Sequence, residues 1–211
     1  VTSASNAKGI VTRYAYDANG NLISMSDAVG TVSYTYDALD RVTAVTDRRG
    51  NTQFFAYDAA GRITSVTDRN GNATQYVYDG NGNIIKTIDA LGTEAVFHYN
   101  KNNQLISTDL HRVDTLNGVD SHEITLYEYD GRNLVTREIN ALGDSTIYVY
   151  DGNGNVISKT DADGYVTRYS YTALDLVQKI NYNGAKEVTY QYNKVGELVQ
   201  MNDWTGTNTF E

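Results

Sequence analysis

The segment YDAAGRITSVTDRNGNATQYV, from Tyr57 to Val77, contains the pattern that governs the whole sequence. A Tyr followed by Asp, Asn or Thr opens it, and the same pair recurs in phase at Tyr16, Tyr36, Tyr57, Tyr78, Tyr99, Tyr129, Tyr150, Tyr171 and Tyr192. Successive pairs are 20 or 21 residues apart, except for one step of 30. A fixed period of this length indicates a repeat architecture. The sequence therefore predicts a single array over residues 1–211, with nine copies and a half-copy at residues 6–15.

Each copy contains two four-residue segments of the form D-x-x-G, such as DAAG at Asp58 and DRNG at Asp68. An Asp or Asn at the first turn position bonds to the backbone two residues on, and Gly at the fourth accepts the left-handed conformation. After each repeated Tyr, the fourth turn position is always Gly, Asn or Asp, the residues that tolerate a positive φ. These segments predict turns in which the fourth-position Gly contributes more to stability than the first-position Asp.

About six residues separate successive turns, and they alternate as β-strands do. Two aromatic residues stand two positions apart before each Tyr-Asp turn, as Tyr76 and Tyr78 do. Sixteen of the 18 tyrosines lie in these two columns, and Tyr165 and Tyr182 lie outside them. The sequence predicts an all-β fold of tandem 21-residue β-hairpin repeats in one continuous curved or spiralling antiparallel sheet. Because every copy contains the aromatic pair, we interpret the columns as structural.

Composition and charge exclude several classes of protein. The 211 residues suffice for a sizeable core. The chain has no Cys, which excludes disulfides and thiolate zinc sites. A net charge of −9 argues against nonspecific binding to nucleic acid and against binding to an anionic membrane. No apolar run approaches the ~20 residues of a membrane span. The start, VTSASNAKG, has no Met and no signal-peptide pattern, so we expect a piece of a longer protein.

The motif VYDGNGN occurs at Val77–Asn83 and again at Val149–Asn155. Three interpretations apply to it: a calcium loop, a phosphate-binding glycine turn, or a tight turn between strands. An EF-hand loop that began at Asp79 would have Gly at its sixth position and Glu at its twelfth, where this sequence has Ile84 and Ala90. No Lys-Ser/Thr pair stands directly after the second glycine, as a phosphate loop requires, and no helical pattern follows. The motif therefore predicts a tight turn that needs no metal and no cofactor.

Candidate chemical groups are concentrated in one irregular stretch, DLHRVDTLNGVDSHE, at Asp109–Glu123. It contains residue types that ligate metals or act as acid and base, namely His111, Asp114, Asp120, His122 and Glu123. We interpret the stretch as an elongated hairpin whose polar tip is solvated. The sequence accordingly predicts no catalytic, cofactor-binding or metal-binding residue, and a protein that is not an enzyme.

The segments YDANGNLISMSDAVG (Tyr16–Gly30) and YDGNGNVISKTDADGYVTRYSYT (Tyr150–Thr172) resemble the YD repeat of Rhs proteins. Relatives include the B and C components of bacterial insecticidal toxin complexes, wall-associated and polymorphic toxins, and the teneurins. The resemblance implies that each copy is a β-hairpin and that successive hairpins spiral into a hollow shell, which in the toxin members encloses a C-terminal cargo. The sequence lacks the D-P-x-G junction motif, so self-cleavage is not carried over to any residue.

The resemblance implies that the chain is a structural scaffold, a wall segment of a shell that encloses or presents a C-terminal cargo or toxin domain in a larger protein. The alternative is a cell-surface adhesion module or a repeat that binds carbohydrate or protein. The expected partners are the rest of its own polypeptide and, in the alternative function, a glycan. We expect no nucleic acid and no membrane insertion. Unpaired strand edges predict self-association of the fragment, and the expected location is secreted or at the cell surface.

Overall fold

The structure is a computed structural model that describes residues 2–5, 11–114 and 118–210. These residues form 20 strands and no helix. The strands are β1 (Thr2–Ser5), β2 (Val11–Tyr16), β3 (Leu22–Asp27), β4 (Gly30–Tyr36), β5 (Val42–Thr46), β6 (Thr52–Tyr57), β7 (Ile63–Thr67), β8 (Ala73–Tyr78), β9 (Ile84–Ile88), β10 (Glu94–Tyr99), β11 (Leu105–Asp114), β12 (Val119–Tyr129), β13 (Val135–Ile139), β14 (Ser145–Tyr150), β15 (Val156–Thr160), β16 (Val166–Tyr171), β17 (Val177–Tyr182), β18 (Lys186–Tyr192), β19 (Leu198–Asp203) and β20 (Gly206–Thr209). A search of these residues finds no helix of the length and apolarity that a membrane crossing requires.

The chain divides into two compact units, one of Val1–Phe97 with Leu110–Ser121 and one of His98–Asp109 with His122–Glu211. In the first unit, each strand from β1 to β9 pairs antiparallel with the strand that follows it. In the second unit, each strand from β12 to β19 does the same. The prediction of an all-β fold made of antiparallel hairpin repeats is confirmed. The single array over residues 1–211 stays a prediction.

The first hairpin begins earlier than the predicted half-copy at residues 6–15. Strand β1 covers Thr2–Ser5 and pairs with β2, with Ser5 opposite Val11. The segment TSAS has neither the aromatic pair nor a D-x-x-G turn, so the repeat pattern gives no sign of it. Residues 6–10, on which the start of the half-copy falls, lie outside the described residues.

The turns after the repeated tyrosines have the backbone that the sequence predicts. All nine residues at the fourth turn position have a positive φ, from 57° at Asp175 to 93° at Gly154. They are Gly20, Asp40, Gly61, Gly82, Asn103, Asn133, Gly154, Asp175 and Gly196. The choice of Gly, Asn or Asp at this position therefore follows from the left-handed conformation.

A β-bulge follows these turns at the same place in the hairpin. In the hairpin of β8 and β9, Val77 lies opposite Lys86 and Tyr78 lies opposite Ile84, so Ile85 is the extra residue. The same register shift occurs at Tyr16, Tyr36, Tyr57, Tyr129, Tyr150, Tyr171 and Tyr192. A bulge bends its strand and increases the local twist. Each of these hairpins therefore has a built-in bend that the alternating sequence pattern does not reveal.

Few side chains are buried, although the chain is long enough for a sizeable core. Among the described residues the buried hydrophobic side chains are Ala44 (8% exposed) and Val188 (7%), and no polar side chain is buried. The reason is that successive hairpins pair side by side in each unit instead of folding over one another. Contacts between neighbouring copies must consequently supply most of the stability, as in other repeat proteins.

The irregular stretch Asp109–Glu123 lengthens two strands. Strand β11 has 10 residues and β12 has 11, whereas the other strands have four to seven. This agrees with the interpretation as an elongated hairpin. The predicted tip at residues 115–117 lies outside the described residues.

Candidate functional site

Many of the polar contacts of the described residues lie at the turns that follow the repeated tyrosines, which we call YD turns. Turn position 1 is the residue after the Tyr, and positions 2 to 5 follow it. In the YD turn of Tyr57, Asp58 is at position 1, Gly61 at position 4 and Arg62 at position 5. The backbone closes this turn through hydrogen bonds from Asp58 N to Arg62 O (2.9 Å) and from Gly61 N to Asp58 O (3.1 Å).

The carboxylate at position 1 organises the whole turn. Asp58 Oδ1 accepts hydrogen bonds from the backbone N–H groups of Ala60 and Arg62, both at 2.9 Å. Its other oxygen, Oδ2, accepts from the guanidinium Nε of Arg62 at 2.7 Å. The backbone N–H and the guanidinium of Arg62 hold the pKa of Asp58 below its usual range. The sequence predicts one bond from this side chain to the backbone, but the structure shows two and a third to the side chain at position 5.

Positions 1 and 5 are chemically matched within a turn. In several turns with Asp at position 1, a donor at position 5 bonds to its Oδ2, as Asn83 and Asn155 do in YD turns and Asn72 does in the second turn of its copy. In the turn of Asp130, position 5 is Leu134 and the donor is Arg132 at position 3. Where position 1 is Asn, its Nδ2 donates to an acceptor at position 5. The acceptors are Gln104 Oε1 (2.6 Å) for Asn100, Asp144 Oδ2 (3.3 Å) for Asn140 and Glu197 Oε2 (2.7 Å) for Asn193. The Asp-to-Asn exchange between copies is thus compensated four residues later.

Both VYDGNGN motifs form such turns. Asp79 Oδ1 accepts from the backbone N–H groups of Asn81 and Asn83, and its Oδ2 accepts from Asn83 Nδ2, all at 2.9 Å. Asp151 makes the same three bonds in the second motif. These bonds support the tight-turn interpretation, because the carboxylate oxygens that would ligate calcium already accept hydrogen bonds. Folding without a metal or cofactor stays a prediction.

Tyrosines of the second column link seven of the copies to the copy that precedes them. The hydroxyl of Tyr78 donates to the backbone oxygen of Ile63 at 2.7 Å, and Ile63 lies opposite Tyr57, directly before the extra residue of the bulge. Equivalent bonds of 2.6–2.8 Å are made by Tyr36, Tyr57, Tyr129, Tyr150, Tyr171 and Tyr192. Burial raises the pKa of Tyr171, and the nearby Tyr169 and Asp151 act in the same direction. Because a bulge disrupts the strand ladder, the hydroxyl supplies a donor at the point where the ladder is interrupted.

Replacing Tyr78 by Phe is expected to destabilise the protein by about 1 kcal/mol, because the bond to Ile63 O is lost. Tyr76 is the matched control, since it lies on the same strand and, in the described part of the chain, its hydroxyl makes no hydrogen bond to protein. Urea denaturation followed by circular dichroism should show a lower midpoint for Tyr78→Phe and little change for Tyr76→Phe. Equal shifts in the two variants would mean that the hydroxyl bond does not contribute.

Arginine side chains also cross between copies, which the sequence analysis missed. The Nη1 atoms of Arg41 and Arg62 donate to the backbone oxygens of Asp58 (2.9 Å) and Asp79 (3.0 Å) in the following YD turns. Each guanidinium lies 4.6 Å from the ring centroid of Tyr57 or Tyr78, a cation–π contact. Both arginines are at position 5 and precede a copy with Gly at position 4. The combination of Arg at position 5 with Gly at position 4 of the next copy is the sequence signal from which these contacts could have been predicted.

The aromatic residues outside the two columns include a small cluster at the last hairpins. Tyr182 and Trp204 make an edge contact with ring centroids 6.2 Å apart, and Lys186 Nζ lies 4.6 Å from the Trp204 centroid. Tyr182 is 40% exposed and Trp204 is 55% exposed. The contact joins the last residue of β17 to the turn after β19, which is again a link between neighbouring copies.

The candidate residues of the irregular stretch form two histidine–carboxylate pairs. In the first unit, His111 Nε2 lies 2.6 Å from Asp120 Oδ1. In the second unit, His122 Nδ1 lies 2.9 Å from Asp109 Oδ2. Glu123 is exposed, and the side chain of Asp114 is outside the described residues. The prediction that none of these residues is catalytic stays a prediction.

Comparison with known proteins identifies the repeats. The family model described as RHS Repeat matches residues 1–32, 16–52, 57–94 and 150–186, which together are more than half of the chain. No curated protein matches the sequence. The crystal structure of TcdB2-TccC3-TEV is similar to 95% of this chain, with 14% identity and a TM-score of 0.68, and this chain spans 13% of its length.

Two further solved structures match with lower scores. TcdB2-TccC3 without the hypervariable C-terminal region matches 96% of this chain at 14% identity, with a TM-score of 0.47 and 14% of its own length covered. The Photorhabdus luminescens Tc holotoxin pore with a mutated TccC3 matches 96% at 12% identity, with a TM-score of 0.44 and 14% of its length covered. The similarity to TcdB2-TccC3-TEV establishes the fold alone.

Proposed function

Because the chain belongs to the RHS repeat family, we propose that it is a wall segment of a hollow repeat shell that encloses or presents a C-terminal cargo or toxin domain. In this proposal it is a structural part of a larger, secreted or cell-surface protein, and it does no chemistry of its own. The observation that carries the proposal is the recurrence of the same link between copies, from the Tyr hydroxyl to the backbone carbonyl beside the bulge of the copy before it.

The fold of TcdB2-TccC3-TEV supports this function, since 95% of this chain is similar to part of it. The low burial also supports it. A sheet whose side chains are mostly half-exposed on both faces serves as a wall between two spaces better than as a packed globular core. The bulge at a fixed place in the hairpin gives successive copies the same local bend.

The tyrosine columns favour a structural role over the alternative of carbohydrate binding. Seven hydroxyls of the second column donate to the backbone. The rings of Tyr57 and Tyr78 are covered on one side by arginines. A sugar-binding face would need aromatic rings that are open to the ligand.

The test uses the natural polypeptide with the segments that flank this chain. A protease should leave a segment C-terminal to the repeats intact while the array is folded and should digest it once urea unfolds the array. The same C-terminal segment expressed without the repeats is the control and should be digested quickly. Equally fast digestion with and without the repeats would refute enclosure.

A further inference from the structure

Neighbouring YD turns contact each other through position 5 of one copy and position 4 of the next. Three of these contacts are polar. Asn21 Nδ2 donates to Asp40 Oδ1 at 2.6 Å, Asn155 Nδ2 donates to Asp175 Oδ1 at 2.8 Å, and Gln104 Nε2 donates to Asn133 Oδ1 at 3.0 Å. In the two Asn–Asp cases the residue at position 3 of the first copy, Asn19 or Asn153, adds a second bond to the same carboxylate.

The other contacts place a large side chain against a glycine. A Cβ on Gly154 would lie 3.7 Å from Leu134 Cδ1, and one on Gly196 would lie 3.6 Å from Leu176 Cδ1. A Cβ on Gly61 would lie 3.9 Å from Arg41 Nη1, and one on Gly82 the same distance from Arg62 Nη1. The space that an Asp or Asn occupies in the polar contacts is therefore used by the Leu or Arg of the preceding copy.

Combining one residue of a polar contact with one residue of a contact that involves glycine is physically unfavourable. A Leu at position 5 followed by Asp at position 4 would press an apolar group on a carboxylate and give it no donor. An Asn at position 5 followed by Gly would leave its amide without the inter-copy acceptor and leave a gap beside it. The pairs within each unit follow the matched combinations: Asn21–Asp40, Arg41–Gly61, Arg62–Gly82, Gln104–Asn133, Leu134–Gly154, Asn155–Asp175 and Leu176–Gly196.

We propose that positions 5 and 4 of adjacent YD turns form a recognition pair through which a copy docks on its neighbour. Within each unit, a YD turn packs against the YD turn of the next copy, and the residues at positions 5 and 4 must match. An amide at position 5 takes a neighbour with Asp or Asn at position 4, and a Leu or Arg takes a neighbour with Gly. The order of the copies is set by the chain, and the pair stabilises the docking of each copy on the one that follows it. This inference rests on the repeat array and not on enclosure of a cargo, so the two can fail independently.

A pair of reciprocal double-mutant cycles tests the proposal in the second unit. In the first cycle, Leu176→Asn and Gly196→Asp convert an apolar pair into a polar one, separately and together. In the second, Asn155→Leu and Asp175→Gly do the reverse. The intrinsic cost of placing Asp or Gly at a positive φ is the same in both backgrounds of a cycle, so it cancels.

Each single variant creates a mismatch and should lower the urea midpoint, while each double variant restores a match and should recover much of it. We expect a coupling of about fivefold or more in the unfolding equilibrium constant in both cycles. A single variant that fails to fold but is rescued by its partner substitution also supports the proposal. Additive effects in both cycles, or single variants that fail to fold and are not rescued, would overturn the proposal.

Discussion

Replacing Gly82 by Val is expected to destabilise the protein by about 1–2 kcal/mol or more, whereas replacing Gly80 by Val in the same turn is expected to have little effect. Gly82 has a φ of 92°, where a β-branched residue is strained. A Cβ there would lie 3.9 Å from Arg62 Nη1, an ordinary contact, so the expected loss comes from the backbone and not from a clash. Gly80 has no positive φ, and a Cβ on it would meet nothing within 4 Å.

Urea denaturation of the two variants measures the difference, and Gly82→Asn serves as a further control. Asn133 holds the same position in its own turn with a φ of 67°, so Asn at position 82 should lose less stability than Val, and the loss that remains reports its mismatch with Arg62. Equal loss in Gly80→Val and Gly82→Val would contradict the left-handed turn.

The repeat, the strands and the turns could be predicted from the sequence because each depends on local residues. A positive φ selects Gly, Asn or Asp at position 4, and alternation places Tyr76 and Tyr78 on one face. These constraints act within a few residues, so they leave a pattern in every copy. The same locality explains why the carboxylate of Asp58 was recognised as a turn residue.

The bulge and the contacts between copies could not be predicted in the same way. The extra residue Ile85 is an ordinary strand residue, and nothing in its identity marks the register shift. The bond from Arg62 to the backbone oxygen of Asp79 joins residues 17 positions apart and lies beside Gly82, where a Cβ would come 3.9 Å from Arg62 Nη1. The small number of buried side chains could not be predicted either. Composition shows that the chain has enough apolar residues for a core, but it does not show whether the hairpins fold over one another or pair edge to edge.

The role of the turn aspartates was underestimated for a related reason. The sequence pattern predicts the bond from Asp58 to the backbone, but the bond to the guanidinium of Arg62 depends on position 5. Arg62 in turn bonds to the next copy. Loss of Asp58 would therefore release both its own turn and an inter-copy contact, so the expected ranking of glycine above aspartate no longer follows for this turn.

Acid is expected to destabilise the array through these aspartates. Hydrogen bonds within the turns lower the pKa of Asp37, Asp58, Asp68, Asp79, Asp89, Asp130, Asp151 and Asp203. A carboxylate whose pKa is lower in the folded state stabilises the fold at every pH above its unfolded value, about 3.9 for Asp. That stabilisation is lost as the pH falls through the folded value. The urea midpoint should therefore stay steady between pH 7 and pH 5 and fall steeply below about pH 4.

The variant Asp58→Asn separates this effect from the general change in net charge on acidification. Asn keeps an oxygen that can accept from the N–H groups of Ala60 and Arg62, as Asn193 does from Val195 and Glu197, but its amide cannot accept from Arg62 in place of the carboxylate. At pH 6 the variant should be less stable than the native protein. Below the folded pKa of Asp58 the native carboxyl is protonated and therefore uncharged, like the amide of the variant. The difference in urea midpoint should then shrink towards zero, because neither protein gains stability from a charge at residue 58. A difference that stays constant from pH 6 to pH 2 would show that the charge of Asp58 does not stabilise the turn, and the matching of positions 1 and 5 would then rest on shape alone.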